Sequence, residues 1–528
     1  MKPLVNMTIN ELLDQTSGRY PGRPALCFKG RTWTYRELNE YTDCVAAGLL
    51  ADGVRRGDHV AILSENTPNA VLAFLSVEKA GAVSCMPGTS LLAEELAVLF
   101  SLSDVRHLMI GNRYKDIMFY QKSQELLKTV KLDKLYDIGM AAESPYTALD
   151  ELAELGRQHL GLYKQLKQAV QPCENGLILY TSGTTGHSSK AVVSSYFHLV
   201  NGGIQKAHSQ NMTHEDIVCC ALQLFHIFCL DVNVLSALAA GACLAMPDDL
   251  HTTSILKTIE AEGCTILSCV PCMYQAMMNR RDFGEYRLST LRTGIIGGAY
   301  CPPETFIQIE QAFGIILLPG LGQTEATAGI SIASPADSLA LRSTTVGRLV
   351  DHSQGRIIDL ETGNELPKGQ TGEICVRSRL LMTGYYNRPD LTNQAVDSEG
   401  WLHTGDIGWL DEGGFLHYSG RIKEIINRGG EKILPSEVEE VLLQMACVKE
   451  CKVLGVEDRY YGEEACACLV LRQPEAAVEE TIRSYMVSRL AKYKLPKYIL
   501  FFDTLPVNAS GKVRRQELLA LVQARLKQ

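Results

Sequence analysis

The chemistry-bearing stretch that stands out first is Tyr180-Thr181-Ser182-Gly183-Thr184-Thr185-Gly186, followed by Lys190, where an apolar run, Leu177 to Tyr180, passes directly into small hydroxyl and glycine residues. Such a loop suits a polyphosphate. Glycines let backbone N–H groups approach and turn inward, hydroxyls add donors, and a lysine neutralises charge. It is not the Gly-x-x-x-x-Gly-Lys-Ser/Thr loop, which is absent here. Taken alone, the stretch also fits a Ser/Thr-rich surface turn.

Further short motifs follow in order. Gly297-Gly298-Ala299 closes the apolar run Thr293 to Ile296, and Gly320-Leu321-Gly322-Gln323-Thr324-Glu325 closes Ile315 to Leu318. Then come Thr404-Gly405-Asp406, Gly420-Arg421-Ile422-Lys423, Gly429-Gly430-Glu431-Lys432 and Asn508-Ala509-Ser510-Gly511-Lys512. Singly, each is an ordinary turn or a solvated charge. As an ordered set covering nearly the whole chain, they resemble the adenylate-forming superfamily of acyl-CoA synthetases, peptide-synthetase adenylation domains and firefly luciferase.

The resemblance implies activation of a carboxylic acid by AMP transfer from ATP. Thr181, Ser182, Gly183, Thr184, Thr185 and Lys190 would hold the β and γ phosphates. Thr324 would reach the α phosphate, and Glu325 would bind Mg²⁺, a hard cation that takes few carboxylates alongside phosphate oxygens. Gly297, Gly298 and Ala299 would leave room for adenine and the acyl carboxylate, with Leu321, Gly322 and Gln323 beside them. Asp406 would accept hydrogen bonds from both ribose hydroxyls, a bidentate task suited to an ionised acid, and Arg421 would donate in the same region. Lys512 would bridge the acyl carboxylate and α phosphate as charge develops. Lys423 lies where the family pivots its small domain, and Gly429 and Gly430 would then border a tunnel for the pantetheine of CoA.

Phe225-His226 resembles the family's aromatic gate beside the acyl pocket, the alternative being a histidine at the rim of the core. Amino-acid-activating relatives carry an aspartate directly after this phenylalanine. His226 stands there instead, and Asp231 comes only five residues later, which points to a plain carboxylate substrate. The pocket is expected to draw on His226, Val270 to Tyr274 and Gly297 to Tyr300. Two departures from the family pattern stand out: Lys190 lies four residues beyond Gly186 rather than three, and Leu321 replaces the aromatic expected to stack on adenine. Cys269-Val270-Pro271-Cys272 has redox-motif spacing, yet it sits in an apolar run without further zinc-type ligands, as do Cys219 and Cys220, so buried thiols are expected.

These groups need a scaffold, and 528 residues at ~150 per domain provide for several units. Hydrophobic residues make up 46% and charged residues 21%, which excludes a disordered chain. A net charge of −9 supplies no general basic field for nucleic acid or anionic membrane. Seventeen cysteines without disulfide-like spacing, and an N-terminus without a signal pattern, suggest reduced thiols and a cytoplasmic protein. The run Val234 to Met246 is well short of the ~20 residues that span a bilayer and reads as a core element.

Helical patterns such as Tyr35 to Ala51 alternate with short apolar runs such as His59 to Leu63 and Ala82 to Cys85, and the habit repeats from Gly176 to Leu321. The spacing predicts α/β layers with a mostly parallel sheet. From Thr345 to Gly420 short strands and tight turns predict a small β-rich subdomain. After that an α+β segment is expected, with Ser436 and Glu439 as a capping box before a helix from Val438 to Met445. The patterning divides the chain into residues 1–420 and 421–528, and the resemblance implies that the first is a large domain holding the ATP and acyl site and the second a small mobile domain carrying Lys512. The expected reaction is that of an ATP- and Mg²⁺-dependent acyl-CoA synthetase with CoA as co-substrate. An acyl carrier protein as acceptor, or a non-catalytic nucleotide-binding relative, are the alternatives.

Overall fold

In the computed structural model the alternating runs assemble into two large, mostly parallel sheets; the structure describes residues 3–114, 117–139, 144–181, 189–327, 329–473, 479–507 and 512–526. One sheet has eight strands, ordered Gly384–Tyr385, Lys190–Ser195, Asn175–Thr181, Val83–Met86, His59–Leu63, Val105–Ile110, Lys134–Asp137 and Thr147–Ala148. The other has nine, and its parallel centre runs through Ile316–Leu321, Thr293–Ile296, Ile266–Leu267, Ile217–Cys219 and Cys243–Ala245. His59–Leu63 is buried at every position, because a parallel strand covered on both faces needs continuous rather than alternating hydrophobicity.

Helices Ile9–Arg19, Tyr35–Ala51, Pro68–Lys79 and Tyr196–Ser209 share one core with both sheets. Tyr35–Ala51 has the expected bounds: Thr34 caps it reciprocally with Glu37, and its Leu38, Val45 and Leu49 face the core. The run from Val234 is buried as expected, but it is composite. It comprises the end of a π-helical turn, Leu230–Leu235, then a short helix, Ser236–Ala240, then strand Cys243–Ala245.

The β-rich subdomain is a four-stranded antiparallel sheet, Ser353–Ile358, Gly372–Ser378, Leu402–Leu410 and Leu416–Arg421. Its last residue, Arg421, leads into a 3-10 turn, Ile422–Glu424, after which a separate five-stranded sheet begins at Ile426. Helices Pro435–Leu443 and Glu479–Val487 pack on one face of this sheet and Arg515–Leu526 on the other. The capping box expected at Ser436 and Glu439 does not form. Pro435 opens the helix earlier, as proline favours the first helical position. Ser436 Oγ instead donates to the Ser419 carbonyl, and Glu439 accepts from Val453 N at 2.8 Å.

Among the described residues no helix is long and apolar enough to cross a membrane. All seventeen cysteines are free thiols. Cys219, Cys220 and Cys269 are fully buried, whereas Cys272 is half-buried and reaches a cavity wall.

Candidate active site

Parallel strands present their carboxyl ends to a common crevice, the usual place for a ligand in open α/β sheets. Here strands Thr293–Ile296 and Ile316–Leu321 end at a cavity of about 1750 Å³, which the small domain covers from the other side. Gly297, Gly298, Ala299, Leu321, Gly322, Gln323, Thr324 and Glu325 all line it. A Cβ at residue 297 would lie 2.9 Å from the Gly320 carbonyl oxygen, and Gly298 has a φ of +79°, so glycine is needed at both for the strand to end there. Leu321 is half-buried and packs against the core of the β-rich subdomain, giving the cavity an aliphatic wall where an aromatic ring is usual in the family.

Asp406 is fully buried on strand Leu402–Leu410, opposite Arg421 in register. Gln323 Nε2 donates to its Oδ2 at 2.6 Å and to the Thr404 carbonyl at 2.8 Å. Arg421 Nε stands 2.9 Å from Oδ1, but without the alignment of a hydrogen bond, so the pair is electrostatic and Oδ1 keeps its acceptor capacity. Burial raises the Asp406 pKa, while Arg421, Gln323 and Lys512 oppose that rise. The turn before it is braced from the neighbouring strand: Glu373 accepts from Gly405 N at 3.0 Å and pairs with His403 Nδ1 at 3.0 Å. Glu373, Cys375 and His403 bring ligand-type atoms within 4.8 Å of one another, yet both glutamate oxygens are already engaged in this brace.

A second constellation gathers at Glu325. Tyr385 OH donates to Glu325 Oε1 at 2.8 Å, and Lys190 Nζ lies 3.4 Å from the same hydroxyl and 4.4 Å from the ring centre. Lys190 opens strand Lys190–Ser195 and lines the cavity with Thr181, the last residue of strand Asn175–Thr181. Ser182, Gly183, Thr184 and Thr185 lie outside the described residues.

The small domain contributes Lys512, which precedes Val513, the β-bridge partner of Val507. Its side chain opens onto the cavity, and the surrounding protein lowers its pKa, with Arg421 adding to that and Asp406 and Glu424 opposing it. On the large domain His226 stacks obliquely on Phe225, with ring centroids 4.6 Å apart, and also opens onto the cavity. Desolvation by the protein around it pushes its pKa down to about 4, and the Lys512 ammonium acts in the same direction. One residue of the large domain and one of the small domain therefore face the same cavity.

Lys423 sits in the 3-10 turn between the two domains and lines the cavity edge. Gly429 and Gly430 occupy a hairpin turn between strands Ile426–Arg428 and Glu431–Ile433 and are not part of the cavity wall in this arrangement. Val270, Cys272, Met273 and Tyr300 line it as expected, whereas Tyr274 turns into the core. Tyr385, Glu373 and His403 carry no motif of their own. Only strand pairing brings them to the site.

The fold and its cavity define a two-domain α/β protein that places a basic residue of a small domain over the cleft at the carboxyl ends of the parallel strands. Residues 13–386 match the family described as AMP-binding enzyme, and residues 437–512 match the AMP-binding enzyme C-terminal domain. The chain belongs to the AMP-binding enzyme family. It is 31% identical to the mitochondrial medium-chain acyl-CoA ligase ACSF2 of Homo sapiens over 98% of this chain and 88% of that protein. It is 32% identical to the acyl-CoA ligase sidI of Aspergillus fumigatus over 97% of this chain and 91% of that protein. Among solved structures, ATP-bound MatB from Rhodopseudomonas palustris superimposes with a TM-score of 0.85 at 25% identity, covering 98% of this chain and 99% of that one. The chain is thus an enzyme of the acyl-CoA synthetase and ligase class.

Proposed function

We propose that this enzyme activates a carboxylic acid with ATP, giving acyl-AMP and pyrophosphate, and then passes the acyl group to CoA, giving acyl-CoA and AMP. The observation that carries this reading is the position of Lys512, which enters from the small domain beside the Asp406–Arg421 pair and His226 over the carboxyl ends of the parallel strands. In the first step a substrate carboxylate oxygen attacks the α phosphorus and pyrophosphate leaves. Charge grows on the α-phosphate oxygens, and an ammonium positioned there in advance stabilises it.

Asp406 accepts from the ribose hydroxyls, oriented by Gln323 and Arg421. Thr324 donates to the α phosphate, while Thr181, Ser182 to Thr185 and Lys190 hold the outer phosphates. Gly297 to Ala299 leave space for adenine and the acyl carboxylate. The Glu325 carboxylate fits Mg²⁺: it is an oxygen donor on the cavity wall, held by Tyr385, with room beside it for phosphate oxygens. Bound there, the ion neutralises phosphate charge.

In the second step the CoA sulfur attacks the acyl carbonyl carbon and AMP leaves. Lys512 has no role in that step, so rotation about the turn at Lys423 withdraws it and brings Gly429 and Gly430 to the cavity. The free thiols support a reducing compartment such as the cytosol. The test is mass spectrometry of products from MgATP and a panel of short, medium, long and aromatic carboxylates, with and without CoA. Acyl-CoA and AMP appearing together support the proposal. Acyl-AMP without turnover of CoA assigns the acyl group to a carrier-protein thiol, and absence of any adenylate overturns the reaction.

A further inference from the structure

Beyond the nucleotide site, the cavity extends along an apolar wall of Phe228, Val232, Ile295 and Ile332. Two ionisable side chains interrupt this wall. Lys206, from helix Tyr196–Ser209, and Asp231, from the π-helical turn Leu230–Leu235, both line the cavity, yet they are only 6% and 2% exposed. π-Turns of this kind recur at functional sites because the extra residue re-aims a side chain.

The backbone makes room for both charges. A Cβ at residue 202 would lie 2.5 Å from Asp231 Oδ1, and one at residue 329 would lie 2.7 Å from Lys206 Nζ. Glycine stands at both positions, and Gly329 adopts a φ of +86°. Asp231 Oδ1 has no hydrogen-bond partner. Among the described residues no ion pair within 4.0 Å joins Lys206 to Asp231, although each feels the other's charge. Buried charges left apart in an apolar wall are costly unless a third group bridges them.

A hydroxyl or a primary carboxamide is such a group, because it accepts from an ammonium and donates to a carboxylate at once. An alkyl end satisfies neither partner, and a second carboxylate meets repulsion from Asp231. Burial raises Asp231 to about 7 and lowers Lys206, each opposed by the other's charge. A neutral bridging group is satisfied in either protonation state of that aspartate, whereas a charged one is not.

We propose that Lys206 and Asp231 are specificity residues in the acyl pocket and select a carboxylic acid bearing a neutral hydrogen-bonding group, a hydroxyl or primary carboxamide, on its chain. The proposal rests on the adenylation reading above and names its substrate class.

The experiment measures ATP–pyrophosphate exchange with matched acids over graded chain lengths, each hydroxyl- or carboxamide-bearing acid paired with its alkyl isostere. At the best length the wild type is expected to favour the polar acid by about 100-fold in kcat/KM, since a site built to hydrogen-bond discriminates strongly against an analogue lacking the group. Lys206→Met is expected to lower kcat/KM for the polar acid and raise it for the alkyl acid, about 10-fold each; a folding defect lowers both. Asp231→Asn, which keeps the side-chain size, repeats the comparison where Lys206→Met does not fold. A wild type that treats each pair within about 3-fold overturns the proposal while leaving adenylation standing, as does a preference that survives in both variants. Exchange with no acid at all overturns the adenylation reading, and the proposal with it.

Discussion

Asp406 and Arg421 face each other across two antiparallel strands, with Arg421 Nε 2.9 Å from Asp406 Oδ1. The pairing joins two functions in one place. Asp406 is held from the large domain by Gln323, and Arg421 is the last strand residue before the turn that leads to the small domain. On the proposed reading, a nucleotide held by Asp406 would lie beside the residue from which the small domain departs.

Asp406→Asn keeps the shape of the side chain but removes its charge and one acceptor oxygen. Hydrogen bonds to charged groups contribute about 1.5–3 kcal/mol each, so the KM for ATP is expected to rise about 10- to 100-fold. Steady-state kinetics at saturating acid checks this. A KM within about 2-fold of wild type would separate Asp406 from nucleotide binding.

Tyr385→Phe removes only the hydroxyl that donates to Glu325 at 2.8 Å and lies 3.4 Å from Lys190 Nζ. Partners that orient a metal-binding carboxylate typically contribute about 10- to 100-fold in metal affinity. The Mg²⁺ concentration giving half-maximal adenylation is expected to rise by about 10-fold, with little change at saturating Mg²⁺. An unaltered Mg²⁺ titration would remove Tyr385 from the metal's support.

His226 carries the clearest pH signature. Its pKa lies at about 4 in the folded protein against an ordinary value of 6.5, because the protein around it desolvates the imidazolium and Lys512 repels it. Between those values the unfolded chain binds the extra proton and the folded chain does not. The stability contributed by the neutral ring is thus fully present above pH 6.5 and is lost as pH falls towards 4. NMR titration of the histidine ring carbons is expected to show the resonance missing from His226→Gln with a midpoint well below 6.5. A midpoint at or above that value would place a charged ring beside Lys512 and contradict the geometry.

How much of this was legible in the sequence depended on how local each feature is. Strand Thr293–Ile296 stops at Gly297 because an apolar run meets two glycines, and helix Tyr35–Ala51 is marked by Thr34 and Glu37 at its start. Ser436 and Glu439 have capping-box spacing, but Pro435 moved the helix start and left them to contact Ser419 and Val453. Tyr385 and Lys190 are 195 residues apart and meet only because their strands are neighbours, a relation no local pattern encodes. The same holds for Lys206 and Asp231, whose significance is their burial beside two distant glycines. Asp406, Arg421 and Lys512 were findable through the ordered motifs. What surrounds them required the fold.

On the proposed reading, one lysine of the small domain serves the first half-reaction only. Lys512→Ala, assayed separately for ATP–pyrophosphate exchange and for acyl-CoA formation from supplied acyl-AMP, separates the two steps. Exchange is expected to fall about 100- to 1,000-fold, the usual cost of removing one preorganised stabilising group, while acyl-CoA formation from supplied acyl-AMP stays within about 3-fold of wild type. Equal loss in both half-reactions would contradict the alternation of the small domain, and unaffected exchange would remove Lys512 from the chemistry.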